Sequence, residues 1–241
     1  MDISRRFRSI AQSASTSMTV THFDRIGKRQ LAEQLRAHKV TVVFDVGANS
    51  GQFASGLRRE SYDGRIVSFE PLSGPFELLQ TQTSRDPLWE SRRCALGAES
   101  GTITINVAGN AGESSSILPM LETHQEACPP ANYIGTEDVS IARFDEIAPQ
   151  YLRPGDIAFL KIDVQGFEEQ VLAGGGTVLQ DSCIGLQLEM SIVPLYEGGM
   201  VIREALNRAD SLGFTLTEVV PAFTDPRDGR ILQVDGTFFR P

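Results

Sequence analysis

Cysteine is scarce in the sequence and is not arranged for metal or disulfide chemistry. The 241 residues contain 3 cysteines, Cys94, Cys128 and Cys183, which stand far apart and form no CxxC pair. CxxC spacing is typical of structural zinc sites and redox motifs, and a disulfide framework uses an even number of cysteines. The pattern therefore favours a reducing, cytoplasmic setting and argues against both kinds of site.

Long apolar stretches and an excess of positive charge are also lacking. No segment reaches the roughly 18 apolar residues that a membrane-spanning helix needs. Residues 9–19 are too rich in Ser, Thr and Gln to form the apolar core of a signal peptide. Lys and Arg number 22 against 31 Asp and Glu, which gives a formal net charge of -9. Because proteins bind nucleic acid largely by neutralising phosphates with Lys and Arg, nucleic acid is not an expected partner.

The first 39 residues differ from the rest of the chain. Residues 1–20 predict a polar arm, and residues 22–38 carry apolar residues at helical spacing with basic residues between them. We therefore expect an N-terminal arm and amphipathic helix over 1–39 and a single larger domain over 40–241. The basic helix face could contact an anionic membrane surface, although most charged helix faces are simply solvated.

From residue 40 onward, short β-branched runs alternate with helix-compatible segments. Strands separated by helices predict βαβ units and a largely parallel sheet, and the last two strands can form a hairpin through residues 221–230. The segment 108–136 shows no sustained period and predicts a lid or a substrate-binding loop. The predicted strands are Val40–Phe44, Arg65–Phe69, Arg92–Leu96, Thr102–Val107, Ile157–Ile162, Ile184–Leu188, Thr215–Val219 and Leu232–Phe239, and the predicted helices are Ala54–Glu60, Phe76–Thr83, Gly166–Ala173 and Val201–Ala209.

A glycine-containing turn follows the first predicted strand, in the stretch VVFDVGANSGQF. Gly47 and Gly51 let the backbone turn sharply and leave room for a ligand. A dinucleotide fingerprint would read GxGxxG, but Asn49 and Gln52 stand where its second and third glycines belong. The turn also lacks the Gly-Lys-Ser/Thr of a P-loop. These departures favour a nucleotide-like cofactor without phosphates.

Four acidic residues stand at or near the ends of predicted parallel strands. Glu70 follows the second strand, where an acidic residue can accept the hydroxyl hydrogens of a ribose, although a solvated glutamate is the simpler alternative. Asp163 ends the apolar strand of KIDVQGFE and could also cap the next helix. With Asp45 and Glu189, these carboxylates should gather at one rim of the sheet. Their charge requires compensation by ligand hydroxyls or amines, by Lys161, or by a divalent cation.

Several of these motifs together resemble a known family. DVGANSGQF, SFEP, CALG, SSSIL, KIDVQGFE and DGTFFR occur in this order, as in the FkbM-type S-adenosylmethionine-dependent O-methyltransferases. The resemblance covers about residues 40–240 and is strongest to enzymes that methylate deoxysugars, such as fucose or rhamnose, on mycobacterial cell-envelope glycolipids. It implies an α/β, Rossmann-like class I methyltransferase fold, with a seven-stranded, mostly parallel sheet, helices on both faces, and one antiparallel strand near the C-terminus.

The resemblance also implies how the cofactor is held. Asp45, Gly47, Asn49 and Gly51 would line the methionine part of S-adenosylmethionine, Glu70 would hold the ribose, and Ala95 and Leu96 would lie beside the adenine. Ser115 and Ser116 match a serine stretch that would cover the site. One departure is Gln165, because the family block more often reads KIDVEG. We assign Gln165 no catalytic role.

Transfer to a hydroxyl requires a group that takes its proton. Asp163 is our first candidate for this base because of its position at the rim, followed by Glu189 and by His124 in the long loop. Asp163 and Glu189 could instead hold a divalent cation that polarises sugar hydroxyls. For the sugar face, Tyr133, Tyr196 and Phe223 offer flat apolar surfaces, although such residues more often pack in the core.

Two other functions remain open from the sequence. An NAD-dependent sugar oxidoreductase or epimerase has a related sheet, but the GxNxG turn disfavours it. A binding module that kept the fold and lost catalysis would look the same in sequence. The identity of the sugar, the hydroxyl that is methylated and the oligomeric state are not encoded in any motif that we recognise.

Overall fold

The computed structural model describes residues 25–241. The predicted arm over 1–20 and the predicted helix start at residue 22 lie outside these residues. A helix over 25–37 (α1) has Leu31, Ala32 and Leu35 fully buried in the same apolar cluster as Val43 of the first strand. The described part of α1 therefore packs onto the body of the protein, and the division of the chain at residue 39 stays a prediction.

A seven-stranded sheet forms the centre of the molecule, in the order β3-β2-β1-β7-β8-β10-β9. Its first five strands pair in parallel, and β10 runs antiparallel to both of its neighbours. This arrangement confirms the mostly parallel sheet with a reversed strand near the C-terminus. The strands are β1 Val42–Val46, β2 Arg65–Phe69, β3 Trp89–Arg92, β7 Ala158–Ile162, β8 Cys183–Ser191, β9 Thr215–Thr224 and β10 Ile231–Phe239.

Helices cover both faces of this sheet. Successive residues of a strand point to opposite faces, and every residue of β1 and β7 is buried. Val43 and Phe159 pack on the side of α1, α2 and α3, whereas Phe44 and Leu160 pack on the side of α6, α7 and α8. The predicted helices on both faces are confirmed. The helices after α1 are α2 Gln52–Arg59, α3 Ser73–Thr83, α4 Glu122–Ala127, α5 Phe144–Ile147, α6 Glu168–Ala173, α7 Gly176–Asp181 and α8 Ile202–Ser211.

A second, three-stranded sheet was not predicted. It has the order β4-β6-β5, with β4 Ala95–Leu96, β5 Gly101–Ala108 and β6 Tyr133–Ala142. The single strand predicted over 92–96 is wrong, because β3 joins the large sheet and β4 joins the small one. The segment 108–136, predicted as a lid or a substrate-binding loop, also contains regular structure, namely α4 and the start of β6. β6 has a single buried residue, and α4 is only 6 residues long, so neither shows a clear hydrophobic period.

No helix within residues 25–241 is both long and apolar enough to cross a membrane.

Candidate active site

A cavity of about 540 Å³ lies at the carboxyl ends of β1, β2 and β7 and beside β8. In open α/β sheets ligands bind at this edge, and the volume is in the range of small-molecule sites. The backbone after β1 and after β2, the loop after β7, and the segment 110–117 between β5 and α4 all contribute to its wall. The predicted loop over 108–136 thus supplies part of the wall through residues 110–117.

The turn after β1 depends on a close backbone contact. Gly47 has a φ of +74°, and a Cβ there would lie 1.8 Å from the carbonyl oxygen of Asp163, so only glycine fits. Gly47 and Asn49 line the cavity. Gly51, with a φ of +90°, does not reach the cavity, because it packs instead against the ring of Trp89. The structure therefore brings two of these three residues to the site.

Glu70 connects the turns that follow β1 and β2. Its Oε2 accepts a hydrogen bond from the backbone N–H of Asn49 at 2.8 Å, and its Oε1 accepts one from that of Leu72 at 2.9 Å. Burial raises the pKa of Glu70 to about 7. Ala95 and Leu96 of β4 form an apolar part of the same cavity wall.

Asp45 lies beneath the site and not on its surface. Its side chain is fully buried, 3.1 Å from Lys161 Nζ, and accepts a hydrogen bond from Ser68 Oγ. Lys161 Nζ also donates to the backbone carbonyl of Gly47 at 2.9 Å. Although burial opposes its charge, Asp45 and Asp163 raise the pKa of Lys161. Of the four carboxylates predicted at the rim, Glu70, Asp163 and Glu189 line the cavity. Asp45 does not line it and instead pairs with Lys161 beneath it.

Gln165 connects two of these carboxylates. Its Nε2 donates to Asp163 Oδ1 at 2.8 Å and to Glu189 Oε2 at 2.7 Å. Its Oε1 accepts a hydrogen bond from the Tyr196 hydroxyl at 2.7 Å, and Gln233 Nε2 donates to the same Glu189 oxygen at 2.7 Å. From the sequence, Gln165 was noted only as a departure from the family block and was given no catalytic role, and Gln233 was not identified.

The backbone around Gln165 is fixed from two sides. Gln165 adopts the left-handed conformation with a φ of 56°, which is uncommon for a residue other than glycine. The buried Glu168 accepts hydrogen bonds from the backbone N–H groups of Val164 and Gly166. On the other side, Ser116 Oγ donates to the Gln165 carbonyl at 2.7 Å. These contacts hold the Gln165 amide between the two carboxylates.

Glu189, near the end of β8, is a partly buried carboxylate in the cavity wall. No Lys, Arg or His within residues 25–241 forms an ion pair with it. Burial, together with the nearby charges of Asp163 and Asp235, raises the pKa of Glu189 well above its usual range. Asp163 differs, because Lys161 Nζ lies 3.6 Å from its Oδ2 and about a third of its side chain is exposed.

His124 is a buried residue of α4 in the cavity wall. Only 2% of it is exposed, and its Nδ1 has no hydrogen-bond partner in the described chain. Its ring contacts Tyr196 and Phe223, with centroids 5.2 and 5.1 Å away. Burial lowers the pKa of His124 to about 4, so the imidazole is neutral near pH 7. Of the three aromatic residues considered from the sequence, Phe223 lines the cavity, while Tyr133 and Tyr196 use their hydroxyls internally.

A metal site requires several liganding side chains that converge on one point. Within residues 25–241, no three His, Cys, Asp or Glu residues are grouped so that they could hold a metal ion. Asp163 and Glu189 are joined by the amide of Gln165. The structure gives no support to the divalent cation that we considered from the sequence.

The strand order, the reversed β10 and the cavity at the carboxyl edge define a class I methyltransferase fold. Two solved structures match it at 10% sequence identity: a candidate methyltransferase from Thermobifida fusca YX, with a TM-score of 0.52 over 94% of this chain and 82% of that one, and the magnesium protoporphyrin IX methyltransferase of Synechocystis PCC 6803 with bound S-adenosylmethionine, with a TM-score of 0.51 over 94% of this chain and 84% of that one.

Sequence comparison then identifies the family. The model of the methyltransferase FkbM domain matches residues 45–216, so the chain belongs to this family. A relative, methyltransferase sdnD of Sordaria araneosa, is 25% identical over 153 residues. This match covers 55% of the present chain and 59% of the relative. Neither comparison identifies the acceptor.

Proposed function

We propose that the protein transfers a methyl group from S-adenosylmethionine to a sugar hydroxyl, with Glu189 as the general base. The observation that carries this proposal is Glu189, a partly buried carboxylate in the cavity that has a raised pKa and forms no ion pair with a Lys, Arg or His of residues 25–241. A carboxylate with a raised pKa takes up a proton readily. Methyl transfer to a neutral hydroxyl requires a group that accepts the hydroxyl proton.

The residues present fit this cofactor. Bound S-adenosylmethionine supplies a methyl group that is already electrophilic, so the protein must align the acceptor, exclude water and remove a proton. Each Glu70 oxygen that accepts a backbone N–H keeps a second lone pair for a ribose hydroxyl. We assign the ribose to Glu70, the adenine to the apolar wall of Ala95 and Leu96, and the methionine part to the turn at Gly47 and Asn49.

Asp45 and Gly51 act indirectly in this assignment. Asp45 holds Lys161, whose ammonium binds the carbonyl of Gly47 and so fixes the turn beside the methionine part. Gly51 allows the start of α2 to approach Trp89 closely. Both residues shape the cofactor site without lining it.

Glu189 is a better base than the other two candidates. Its Oε2 receives hydrogen bonds from two glutamines, whereas its Oε1 accepts none from residues 25–241 and is left for the acceptor hydroxyl. Asp163 already pairs with Lys161, which stabilises its charged form. His124, with a pKa of about 4, is a weak base at neutral pH. We assign Asp163 and His124 to binding the acceptor, through hydrogen bonding and packing.

The nature of the acceptor comes from the resemblance and from the chemistry of the cavity. Phe223 presents an aromatic ring beside carboxylate and amide groups, a combination that suits a sugar with one apolar face and several hydroxyls. The motifs resemble those of enzymes that act on fucose or rhamnose of cell-envelope glycolipids, and we propose an acceptor of this kind. Peripheral contact with a membrane and the lack of a nucleic-acid partner stay predictions from the sequence.

The test of this proposal is Glu189→Gln. Methyl transfer to glycolipid extracts should fall about 10²- to 10⁴-fold, the usual contribution of a general base, while calorimetry should show unchanged binding of S-adenosylhomocysteine. Wild-type activity should rise with pH as Glu189 loses its proton, and this dependence should vanish in the variant. Asp163→Asn is the matched control and should lose less activity. Full activity of Glu189→Gln would contradict the assignment.

The acceptor itself can be found by deleting the gene. Mass spectrometry of cell-envelope glycolipids from the deletion strain should show a species lighter by one methylene group. Glycolipids of unchanged mass would remove the support for a glycolipid acceptor.

A further inference from the structure

Both ends of the Gln165 amide are held by the protein. Its Nε2 donates to Asp163 Oδ1 and to Glu189 Oε2, at 2.8 and 2.7 Å. At the other end, the Tyr196 hydroxyl is the one donor to Gln165 Oε1 among residues 25–241. Reversing the amide would place Oε1 against both carboxylates, and Lys161 favours the charged form of Asp163. The carboxylates therefore fix which end of the amide faces them, and Tyr196 holds the opposite end.

Tyr196 is firmly placed and stays a hydrogen-bond donor. Its side chain is buried, and Gly166 packs so closely against it that a Cβ there would lie 2.9 Å from Tyr196 Cβ. The single hydroxyl hydrogen has two acceptors, Gln165 Oε1 at 2.7 Å and the Ser114 carbonyl at 3.2 Å. The shorter contact is the stronger one. Because burial raises the pKa of Tyr196 far above its ordinary value, the hydroxyl keeps its hydrogen and donates mainly to Gln165.

The N–H groups that reach Glu189 act against its surroundings. Burial raises the pKa of Glu189, and four charged groups of neighbouring elements also act on it: Asp163 after β7, Asp235 of β10, Glu168 of α6 and Lys161 of β7. The three carboxylates raise this pKa further, and the lysine lowers it. The N–H groups of Gln165 and Gln233 bind Glu189 Oε2 and so stabilise its charged form. Loss of either N–H would raise the pKa of Glu189.

Building on Glu189 as the base of the proposed methyl transfer, we infer that Tyr196 is a positioning residue whose hydroxyl holds the Gln165 amide within reach of Glu189. Tyr196 does not line the cavity, so it acts on the base through Gln165. Without the hydroxyl, Gln165 Oε1 loses its donor from the described chain, and the amide can turn away from the carboxylates. The charged form of Glu189 is then less stable, and Glu189 loses its proton only at a higher pH.

The test is Tyr196→Phe, which keeps the ring and removes the hydroxyl. The titration of Glu189 is followed by NMR of protein with ¹³C-labelled glutamate carboxyl groups, and Glu189→Gln identifies the signal. The midpoint should rise by about 0.5 to 1 pH unit, the worth of one neutral hydrogen bond. Tyr133→Phe is the matched control, because the Tyr133 hydroxyl donates to the Leu118 carbonyl at 2.8 Å and not to Gln165. It should leave the midpoint unchanged.

Gln165→Met separates this role from a general structural one. It removes the N–H to Glu189 and should raise the midpoint at least as far as Tyr196→Phe does. Adding Tyr196→Phe to Gln165→Met should raise it no further, because the hydroxyl acts through the amide that is already gone. In methyl transfer, Tyr196→Phe should lose about 3- to 10-fold in rate below the wild-type midpoint and little above it. A general loss of structure would lower the rate at every pH.

An unchanged Glu189 midpoint in Tyr196→Phe, or a further rise in the double variant, would overturn the inference. If the variants fail to fold, the wild type decides. With ¹³Cζ-labelled tyrosine, the Tyr196 signal should move at the Glu189 midpoint, and a Tyr196 signal that does not move would overturn the inference. The carboxyl titration does not depend on methyl transfer. The expected midpoint shifts together with full activity of Glu189→Gln would therefore support the contact and contradict the proposed function.

Discussion

Gln165 joins two carboxylates without adding a charge. A glutamate at this position would put a third carboxylate beside Asp163 and Glu189 and would have no N–H to offer either of them. Three converging carboxylates favour a hard divalent cation, because it replaces the lost hydrogen bonds and offsets the repulsion.

We therefore expect Gln165→Glu to gain binding of Mn²⁺, measured by calorimetry, and to lose methyl transfer in the absence of the cation. The control is Gln165→Met, which removes both N–H groups without adding charge and should gain no cation affinity. Equal Mn²⁺ binding by Gln165→Glu and the wild type would contradict this account of the cluster.

Individual residues of the site were predictable to different degrees. Glu70 and Asp163 could be found from sequence because each stands directly after an apolar strand. Gln165 could not, because its role depends on a left-handed backbone and on Tyr196, which lies 31 positions further along the chain. Asp45 was placed on the correct strand, but its burial under Lys161 depends on side-chain packing that no spacing shows.

At the scale of elements, β1 and β7 are joined by a buried ion pair as well as by their ladder. Lys161 of β7 and Asp45 of β1 are 7% and 0% exposed. Lys161→Met would leave the Asp45 carboxylate buried without its cation, and we expect a loss of about 3 to 5 kcal/mol in the free energy of unfolding. Urea titration measures this loss.

The matched control is the double variant Asp45→Leu with Lys161→Met, which removes both charges. Because replacing a buried ion pair by apolar residues is often close to neutral, the double variant should recover much of the stability. A double variant less stable than Lys161→Met alone would show that the pair does not act as we describe.

Elements with a strong apolar run were predictable, and exposed or short ones were not. β1 and β7 are buried along their whole length, which produces the continuous apolar runs seen in the sequence. β6 has a single buried residue and is held by its antiparallel pairing with β5, in which Ile141 lies opposite Gly101. That pairing is a long-range property, and neither the period nor the composition of β6 indicates it.

For the whole molecule, the buried acids make stability depend on pH. Burial raises the pKa of Glu168 to about 7, above the value of about 4.5 in the unfolded chain. A raised pKa means that the protonated form is favoured by folding, so this contribution is complete below about pH 4.5 and is lost as the pH rises through 7. The loss is at most about 3.5 kcal/mol, because one pKa unit corresponds to about 1.4 kcal/mol.

We expect Glu168→Gln to become more stable relative to the wild type as the pH rises from about 4.5 to about 7.5, measured by urea titration. The amide oxygen can still accept the N–H groups of Val164 and Gly166, so the loop keeps its hydrogen bonds. The lowered pKa of His124 makes stability change with pH in the opposite direction. This contribution is the same in the variant and the wild type, so it cancels when their stabilities are compared. The exposed Glu77→Gln is the control and should follow the wild type. A stability difference that does not change with pH would refute the prediction.

The position of β10 has a consequence for how the chain is made. β10 lies between β8 and β9 in the sheet, although it follows both in the sequence. β1 pairs with β7, which begins 112 residues after β1 ends. A nascent chain therefore cannot complete the seven-stranded sheet until residues 231–239 have left the ribosome. Until then the edge of β8 that pairs with β10 stays uncovered. Such late, non-local pairing is slow and prone to aggregation. We therefore expect the yield of folded protein in cells to depend more on the supply of chaperones during translation than on the stability of the finished protein.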